Sequence, residues 1–593
     1  MSLVRPLPGI RFETAAPPAG DVLPRMDIPA FVGFAASGPL NEPVAVEDPV
    51  HFETIFGVNL PLARERDTGA SIEAYLAPAV RAFFRNGGRR CWIIRVAGEA
   101  DPGADTEIGR NGLATFDEKP FLDPDLAGAT VRDLLDRADF IRYQSLQPRP
   151  LRGIHAALGL DEVTLVAVPD AVHRGWYQQS GSIASPLASS PLSHPEWWRW
   201  LDCEDPKPPA PGTPLGGGGF IDCDVADPVA APLLAATPPT GGTYDLSWNS
   251  EPGATYVLQE ATRPDFSDAA DVASGAIGKV TLHARAAGDL FYRVRRLQGA
   301  RTSDWSNGAG VHVAAAAGWT SIPAGDYNAA TLVAVHQALV TMCAARGDLV
   351  AVLSLPSHYD ERQAIAHPAQ LDLDSRTRSY GALWHPWLVV RDGRDGDAAP
   401  LKATPPDGAT AGVIAARALS RGAWIAPANE PLTGPVALTP PLSAAFWQPL
   451  QDAAVNVIRQ EPWGFVCLDA DTLSPDGEVR PLNVRRLIAL VRRAALRVGE
   501  AYVFEPNGGA AQRAVRRAFE SMLETLYIRG AFAGRTEQTA FQVVTDESLN
   551  TPRSIDAGRL IAEIRIAPSR PLSFLTIRLL QAGGGTVVQE AGR

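Results

Sequence analysis

The sequence predicts a multidomain α/β (α+β) protein in which mixed sheets pack against helices and one all-β sandwich is inserted. Two apolar segments, 163–170 and 349–356, each run into a proline and predict a pair of buried parallel strands. A helix predicted for 329–345 precedes the second strand and forms an αβ unit with it. Between residues 228 and 313, short strands alternate with turns, which is the pattern of a small β-sandwich.

The bulk composition fits several soluble globular domains. At 593 residues the chain exceeds one ordinary core, so about two to four domains are expected. Apolar residues make up 46% and charged residues 20%, which is typical of a folded protein. No apolar run approaches the roughly 18 residues of a membrane span. The N-terminus lacks the apolar core of a signal peptide, so we expect synthesis in the bacterial cytoplasm.

Residues 1–25 predict an extended N-terminal arm. Prolines at positions 6, 8, 17, 18 and 24 prevent a helix and favour extended backbone. Ile10 and Phe12 alternate with polar neighbours, as the apolar residues of a short β-strand do. Because the arm holds no second strand, it would either fray or pair with the edge of another sheet.

The middle, or core, domain is predicted to be discontinuous and to cover 26–173 and 318–440. Its first part begins with a buried strand at 28–35. A helix at 79–86 and a buried strand at 91–96 follow. The helix runs into Asn-Gly-Gly, a sequence that favours a left-handed helix stop.

The insertion divides into two parts. Residues 174–227 are rich in Trp, Pro and Gly and predict a linker. Residues 228–316 predict the sandwich, which resembles a fibronectin type III module. In that resemblance Trp248 is the core tryptophan of an early strand and Tyr292 is the corner tyrosine. By fold analogy alone, such a module would decorate the outer surface of the protein.

The C-terminal domain, predicted for 441–580, contains two amphipathic helices at 483–498 and 510–528. Arginines cluster on one face of the first helix: Arg485, Arg486, Arg492, Arg493 and Arg497. Residues 480–593 hold 17 Arg, no Lys and 10 Asp or Glu, a net charge of +7, whereas the rest of the chain carries −19. This asymmetry predicts an acidic partner for the domain, and the alternative is a solvated amphipathic face.

Residues 581–593 predict a C-terminal arm. A strand at 574–579 is followed by the flexible spacer Gly583-Gly584-Gly585. Thr586, Val587 and Val588 then predict a second short strand. Arms joined by flexible spacers can keep β-pairing between molecules while the rigid bodies rotate.

Motifs near both ends of the chain support a more specific interpretation. Toward the C-terminus they are Val484-Arg485-Arg486-Leu487, Phe504-Glu505-Pro506-Asn507, Gly530-Ala531-Phe532-Ala533-Gly534 and the run from Ile564 to Phe574. Toward the N-terminus they are the Pro-Gly opening with its strand and the strand, helix and strand between Ile28 and Val96. Together these segments resemble the contractile tail sheath proteins of phage tails, R-type pyocins and extracellular contractile injection systems. The resemblance covers roughly 1–96, 163–173 and 318–593.

The resemblance implies a structural subunit. Such subunits polymerise as stacked six-fold helical rings around an inner tube and contract once, driving the tube through a target membrane. The implied partners are further copies of the chain, the inner tube protein, and baseplate and terminal cap proteins. Nucleic acid is not a direct partner, which fits the net charge of −12, and a membrane is only the target. The protein would reside in assembled tail or injection particles, including particles released from the cell.

Within this interpretation, the charge asymmetry and the two predicted arms suggest roles for individual residues. Arg485, Arg486, Arg492, Arg493 and Arg497 would contact the inner tube. Pairing with neighbouring subunits would involve the arm residues Ile10, Phe12, Thr586, Val587 and Val588.

No catalytic motif accompanies these features. The sequence lacks a GxSxG elbow, an HExxH motif and a GxxxxGK[ST] loop, so we predict neither enzymatic activity nor a cofactor. His358, Asp360, His367 and His385 lie close in sequence, but we interpret them as structural and predict no metal site. One alternative is a secreted glycan-binding or glycan-cleaving protein with a fibronectin-like module, and another is a non-contractile cell-surface repeat protein.

Overall fold

The computed structural model describes residues 23–66, 69–98, 107–178, 183–186, 229–236, 243–283, 288–299, 301–314, 319–391, 400–502, 508–568, 575–582 and 585–591. The helices are α1 (Pro49–Phe56), α2 (Leu76–Arg85), α3 (Glu107–Arg110), α4 (Leu134–Asp139), α5 (Ala330–Arg346), α6 (Glu361–Gln370), α7 (Ser375–Arg378), α8 (Asp407–Ser420), α9 (Trp447–Asp452), α10 (Leu482–Glu500), α11 (Gly509–Ile528), α12 (Glu537–Ala540) and α13 (Pro552–Asp556). None of these helices among the described residues combines the length and apolarity of a membrane span.

The strands of the first half are β1 (Pro29–Gly33), β2 (Val44–Val46), β3 (Pro61–Arg64), β4 (Ser71–Glu73), β5 (Cys91–Arg95), β6 (Leu165–Ala167), β7 (Trp176–Gln178), β8 (Ile183–Pro186), β9 (Leu234–Ala236), β10 (Thr243–Trp248), β11 (Thr255–Ala261), β12 (Ala270–Gly275), β13 (Lys279–His283), β14 (Gly288–Gln298) and β15 (Arg301–Thr302). Those of the second half are β16 (Ala309–Ala314), β17 (Trp319–Ser321), β18 (Val350–Ser354), β19 (Gly381–His385), β20 (Trp387–Arg391), β21 (Leu401–Thr404), β22 (Glu430–Leu432), β23 (Pro435–Thr439), β24 (Val455–Glu461), β25 (Gly464–Cys467), β26 (Phe541–Val544), β27 (Leu560–Ile566), β28 (Leu575–Ala582) and β29 (Gly585–Ala591).

The core domain is built on a nine-stranded sheet in the order β2-β5-β1-β6-β18-β19-β24-β25-β22. Because β24 and β25 belong to this sheet, the core continues past the boundary predicted at residue 440. Its centre is parallel, from β5 through β24. The predicted parallel pair is confirmed, because β6 and β18 pair side by side with Val166 opposite Ala351. α5 precedes β18, as the sequence predicts. The mixed α/β class of the protein is therefore confirmed.

Both faces of this sheet are covered, which explains why its strands are continuously apolar. Along β18, Ala351 and Leu353 point into the core cluster that contains α5. Val350 and Val352 point into the opposite cluster, which contains α2 and α8. α2 and α8 approach each other closely at Gly408, where a Cβ would lie 2.2 Å from the carbonyl oxygen of Ala79.

The strand order reverses between β1 and β6, the place where open α/β sheets ordinarily bind ligands. Here the carboxylate of Asp170 occupies that crevice. Its Oδ2 accepts a hydrogen bond from the Phe34 amide (2.8 Å) and its Oδ1 accepts one from the Tyr75 amide (2.6 Å). Nε2 of His173 lies 3.0 Å from Oδ1. A Cβ on Gly33 would lie 2.3 Å from Oδ2, so the carboxylate packs directly against β1.

Asp170→Ala is expected to destabilise the core by roughly 2–3 kcal/mol, because two buried amides lose their acceptor. Denaturant unfolding of the full chain measures the loss, and Asp326→Ala, at an exposed position, is the matched control. A loss below about 1 kcal/mol would show that the carboxylate does not hold these three segments together.

The insertion leaves the core through a pair of adjacent strands. Gln178 on β7 lies opposite Trp319 on β17. The chain therefore enters and leaves the insertion through two neighbouring strands of one four-stranded sheet. Beyond them, the sheets β13-β10-β9 and β12-β11-β14-β16-β8 enclose a shared apolar core that includes Trp248. β8 lies within the predicted linker and pairs with β16, so the linker contributes a strand to the sandwich.

Tyr292 is buried in the sandwich core, but it is not a corner tyrosine. Its hydroxyl lies 2.6 Å from the hydroxyl of Tyr244 and donates a hydrogen bond to the carboxylate of Glu260. A corner tyrosine bonds to the backbone, and both partners here are side chains among the described residues. The fibronectin type III character of this sandwich stays a prediction.

Candidate assembly interface

α10 is covered by neighbouring elements on nearly every side. Its apolar residues pack with α11, β26 and β27 in one cluster, which also takes in Met26 and Trp424. The buried residues run around the helix and include Leu482, Val484, Leu487, Ile488, Ala489, Leu490, Val491, Ala494 and Ala495. Positions that helical periodicity places on an outer face are therefore also enclosed.

Arg485 and Arg486 lie inside the chain, each with 1% of its surface exposed. The guanidinium carbon of Arg485 sits 4.3 Å from the centroid of the Tyr380 ring. Arg486 donates hydrogen bonds to the carbonyl oxygens of Met26 and Ile414. Burial lowers the pKa of Arg486 to about 10. The prediction that these two arginines lie on an exposed face of α10 is wrong, because their charges are held by groups within the chain.

Arg493 fastens α10 to the core. Its Nη1 lies 2.8 Å from Oδ2 of Asp348 and donates to the carbonyl oxygen of Val163 at 3.1 Å. The same carboxylate accepts a bond from Nε of Arg346, 2.8 Å from Oδ1. Burial lowers the pKa of Arg493. Asp348 thus joins α10 to α5, and Arg493 itself joins α10 to the segment before β6.

The last two predicted contact arginines are closer to the surface. Arg492 is partly buried, and its guanidinium carbon lies 3.1 Å from where a Cβ on Gly347 would stand. Arg497, in the last turn of α10, is exposed. Three of the five arginines, Arg485, Arg486 and Arg493, are therefore bound within the chain. Arg492 is partly buried, and Arg497 is exposed.

α11 supplies the exposed basic face that α10 lacks. Val515, Phe519, Leu523 and Leu526 are its buried residues, at spacings of three and four, so the opposite face of the helix is free of the core. That opposite face exposes Arg513, Arg516 and Arg517. Nε of Arg516 lies 2.7 Å from Oε1 of Glu520, at the surface.

The sequence contains the signal that distinguishes these two helices. α11 has a single narrow apolar stripe, whereas the apolar residues of α10 are too numerous for one face. A helix with apolar residues on most sides is buried, and its arginines must then bind groups inside the protein. The number of arginines alone does not show which helix exposes them.

The C-terminal sheet has the order β26-β27-β28-β29, so β29 lies at one end. Thr586, Val587 and Val588 form part of β29, and the predicted second strand is present. They lie opposite Gln581, Leu580 and Leu579 of the same chain. The predicted arm residues Ile10 and Phe12, and the spacer residues 583 and 584, lie outside the described residues.

The histidines that the sequence places close together do not form a ligand set. His367 contacts His336 through ring nitrogens 3.0 Å apart, and Asp360 caps the N-terminus of α6. Burial lowers the pKa of His358, His367 and His385 to about 4 each. Within the described ranges, no group of three or more His, Cys, Asp or Glu side chains is placed to hold a metal.

Comparison with known proteins rests on solved structures, because no family model and no curated protein matches the chain. A chain of the anti-feeding prophage (AFP) baseplate in its contracted state aligns over 97% of this chain and 97% of its own length. The TM-score is 0.50 and the sequence identity is 17%. This chain shares the fold of that AFP baseplate chain.

Two further similar solved structures are contractile sheaths. The PVC sheath complex of an extracellular contractile injection system, in the contracted state, aligns over 96% of both chains with a TM-score of 0.47 and 16% identity. The contracted AFP helical sheath aligns over 96% of this chain and 98% of its own, again with a TM-score of 0.47 and 16% identity. At this level of identity the likeness to the AFP baseplate chain concerns the fold.

Proposed function

We propose that the chain is a structural subunit of a contractile sheath. It polymerises with copies of itself around an inner tube, and contraction of the assembled sheath drives the tube through a target membrane. The observation that carries the proposal is the shared fold with the AFP baseplate chain across 97% of both chains. The sheath-like motifs at the two ends of the sequence support it independently.

The proposal needs no catalysis by this chain. The energy of contraction is stored in folding and assembly. The other partners of the subunit are baseplate and terminal cap proteins. The protein resides in the assembled particle.

Negative-stain microscopy of the protein, co-expressed with a candidate inner tube protein, tests the proposed function. Ribbed cylinders of regular diameter are the expected result. Monomers or irregular aggregates from a folded preparation would contradict it, and binding or cleavage of glycans by such monomers would favour the secreted glycan-active alternative.

We further propose that the exposed basic face of α11, with Arg497, contacts the inner tube. Arg513, Arg516 and Arg517 project from a helix whose other face is anchored in the C-terminal core. The C-terminal region carries a net charge of +7, so an acidic tube wall would be complementary to it. Arg485, Arg486 and Arg493 support this surface from inside by holding α10 in place.

Replacing Arg513, Arg516 and Arg517 together by Glu is expected to leave folding nearly unchanged, because all three are exposed. Affinity for the purified tube protein should fall at least about tenfold, since the charge on one side of the contact is reversed. Co-sedimentation with preformed tubes measures it. The matched control reverses Arg301, Arg362 and Arg421, which are exposed elsewhere. If both triple variants bind the tube equally well, α11 is not part of the contact.

A further inference from the structure

Four histidines lie on or near the ten-residue helix α6, and we call them the histidine cluster: His336, His358, His367 and His385. His367 lies on α6 itself, and His358 lies in the segment that leads into the helix. His336 belongs to α5, and His385 is the last residue of β19. His336 is 2% exposed, His367 and His385 are 0% exposed, and His358 is half-buried. Four side chains that can each take up a proton are thus enclosed at one place in the core domain.

Ring contacts connect three members of the cluster. Nδ1 of His336 lies 3.0 Å from Nε2 of His367, so one neutral ring donates a hydrogen bond to the other. Tyr359 follows, with its ring centroid 6.3 Å from that of His367 and 5.3 Å from that of His358. Burial raises the pKa of Tyr359, so its hydroxyl stays neutral at about pH 5 to 7. The hydrogen bond between the two histidines is lost when both are protonated, because every ring nitrogen then carries a hydrogen.

α6 is anchored to the core through a small number of described residues. Besides His367, its buried residues are Ala364 and Pro368. A proline inside a helix removes one backbone hydrogen bond. The amide of Ser443 donates to Oε1 of Glu361, on the first turn of α6, at 3.0 Å. A helix with so few buried contacts opens at a lower free energy than the sheet beneath it.

The cluster offers no partner for a positive charge among the described residues. The histidines there that pair with carboxylates are His173 and His312, which both lie outside the cluster. Both ring nitrogens of His358 and of His385, and Nδ1 of His367, are buried without a hydrogen-bond partner in the described ranges. A buried ring that takes up a proton would therefore carry an unpaired charge, which is costly.

The groups that face the cluster mostly oppose protonation. Burial lowers the pKa of all four rings, to about 4 in three of them. The charge of Arg174 lowers the pKa of His358 further, and the partner ring has the same effect on His336. Glu361 acts in the opposite direction and partly offsets burial at His385. Burial is the first cause at each ring, so exposure to solvent would reverse it.

We propose that α6 is an acid-sensitive latch, which detaches from the core when the histidine cluster takes up protons. An exposed imidazole titrates near pH 6.5, so the open form binds more protons than the closed form between about pH 6.5 and about pH 4. The closed latch is therefore favoured above about pH 6.5 and weakens as the pH falls. Each histidine that opening exposes shifts the equilibrium about twentyfold between about pH 7 and about pH 5. The latch is a property of the single chain and does not rest on the proposed sheath function.

Hydrogen exchange of the full-length chain, followed by mass spectrometry at about pH 7 and about pH 5, tests the proposal. Each rate is divided by the intrinsic exchange rate at that pH, so that protection is compared. Protection of α6 should fall at least about a hundredfold more than that of α2, which contains no histidine and packs on the opposite face of the core sheet. Equal losses in α6 and α2 would overturn the proposal, because acid would then loosen the core as a whole.

The double variant His336→Gln/His367→Gln tests the role of the ring pair. Because amides do not titrate, the loss of α6 protection on acidification should become at least about tenfold smaller. The matched control is His51→Gln, at an exposed position on α1, and it should change that loss by less than about twofold. Each variant is compared with itself at the two pH values, so a constant loss of stability cancels. An unchanged loss in the double variant, or the same reduction in the control, would overturn the proposal.

Discussion

Acidification from about pH 7 to about pH 5 is expected to cost the core domain roughly 3–5 kcal/mol of unfolding free energy. Burial lowers the pKa of His155, His367 and His385 to about 4 each and lowers that of His336 well below its ordinary value. In the unfolded chain the same groups titrate near 6.5, so the unfolded state binds more protons between these values. Each of the first three groups then costs roughly 2 kcal/mol at about pH 5.

Asp407 acts in the opposite direction. Burial, with a smaller effect from Asp170, raises its pKa to about 7. Its folded form therefore binds a proton that the unfolded form has released, and its contribution to stability is lost as the pH rises from about 4 to about 7. Acidification to about pH 5 restores roughly 2 kcal/mol through this group, which is included in the net loss above.

Denaturant unfolding at about pH 7, 6 and 5 measures the net effect. His385→Phe should flatten the loss, because both ring nitrogens of His385 are buried without hydrogen-bond partners among the described residues. Asp407→Asn should make the loss steeper by removing the opposing group. A pH-independent stability in the wild-type protein would contradict the assignment of these histidines as buried neutral groups.

Deletion of residues 1–20 is expected to abolish polymerisation and leave a folded monomer. The deletion stops short of the segment that joins the arm to the body. There Arg25 pairs with Asp27 at 2.6 Å, Met26 lies in the C-terminal core cluster, and the Met26 carbonyl accepts a bond from Arg486. Folding of the body is thus preserved, while the segment containing Ile10 and Phe12, for which the sequence predicts a strand that pairs with a neighbouring subunit, is removed.

Size-exclusion chromatography with light scattering, together with microscopy, distinguishes monomer from polymer. Ile10→Asn/Phe12→Asn is the matched variant, because it keeps the length of the arm and removes only its apolar face. It should also assemble poorly. Cylinders of normal length from the truncated protein would refute the role proposed for the arm.

Much of the core architecture could be predicted because its determinants are local. β6 and β18 are short apolar runs. α2 is followed by its cap residue Asn86 and by Gly87, which has a φ of +94°. Runs of this kind, with turn residues at their ends, fix an element before any tertiary contact is known. The pairing of β6 with β18 could be predicted because α5 and β18 form an αβ unit.

The contacts of the basic residues could not be predicted because they join distant parts of the chain. Arg486 binds the carbonyl of Met26, 460 residues away, and Arg493 binds Asp348, 145 residues away. Helical periodicity gives the face on which an arginine lies, but it does not show what packs against that face. The pairing of His336 with His367 is hidden for the same reason, since each belongs to a different helix.

Helical reconstruction of the cylinder by electron cryo-microscopy would show whether the chain is a sheath subunit. We expect copies of this chain stacked in rings around a tube, with Arg513, Arg516 and Arg517 on the inner wall and the inserted sandwich on the outside. A particle in which this chain forms no rings around a tube, or in which the sandwich lines the lumen, would contradict it.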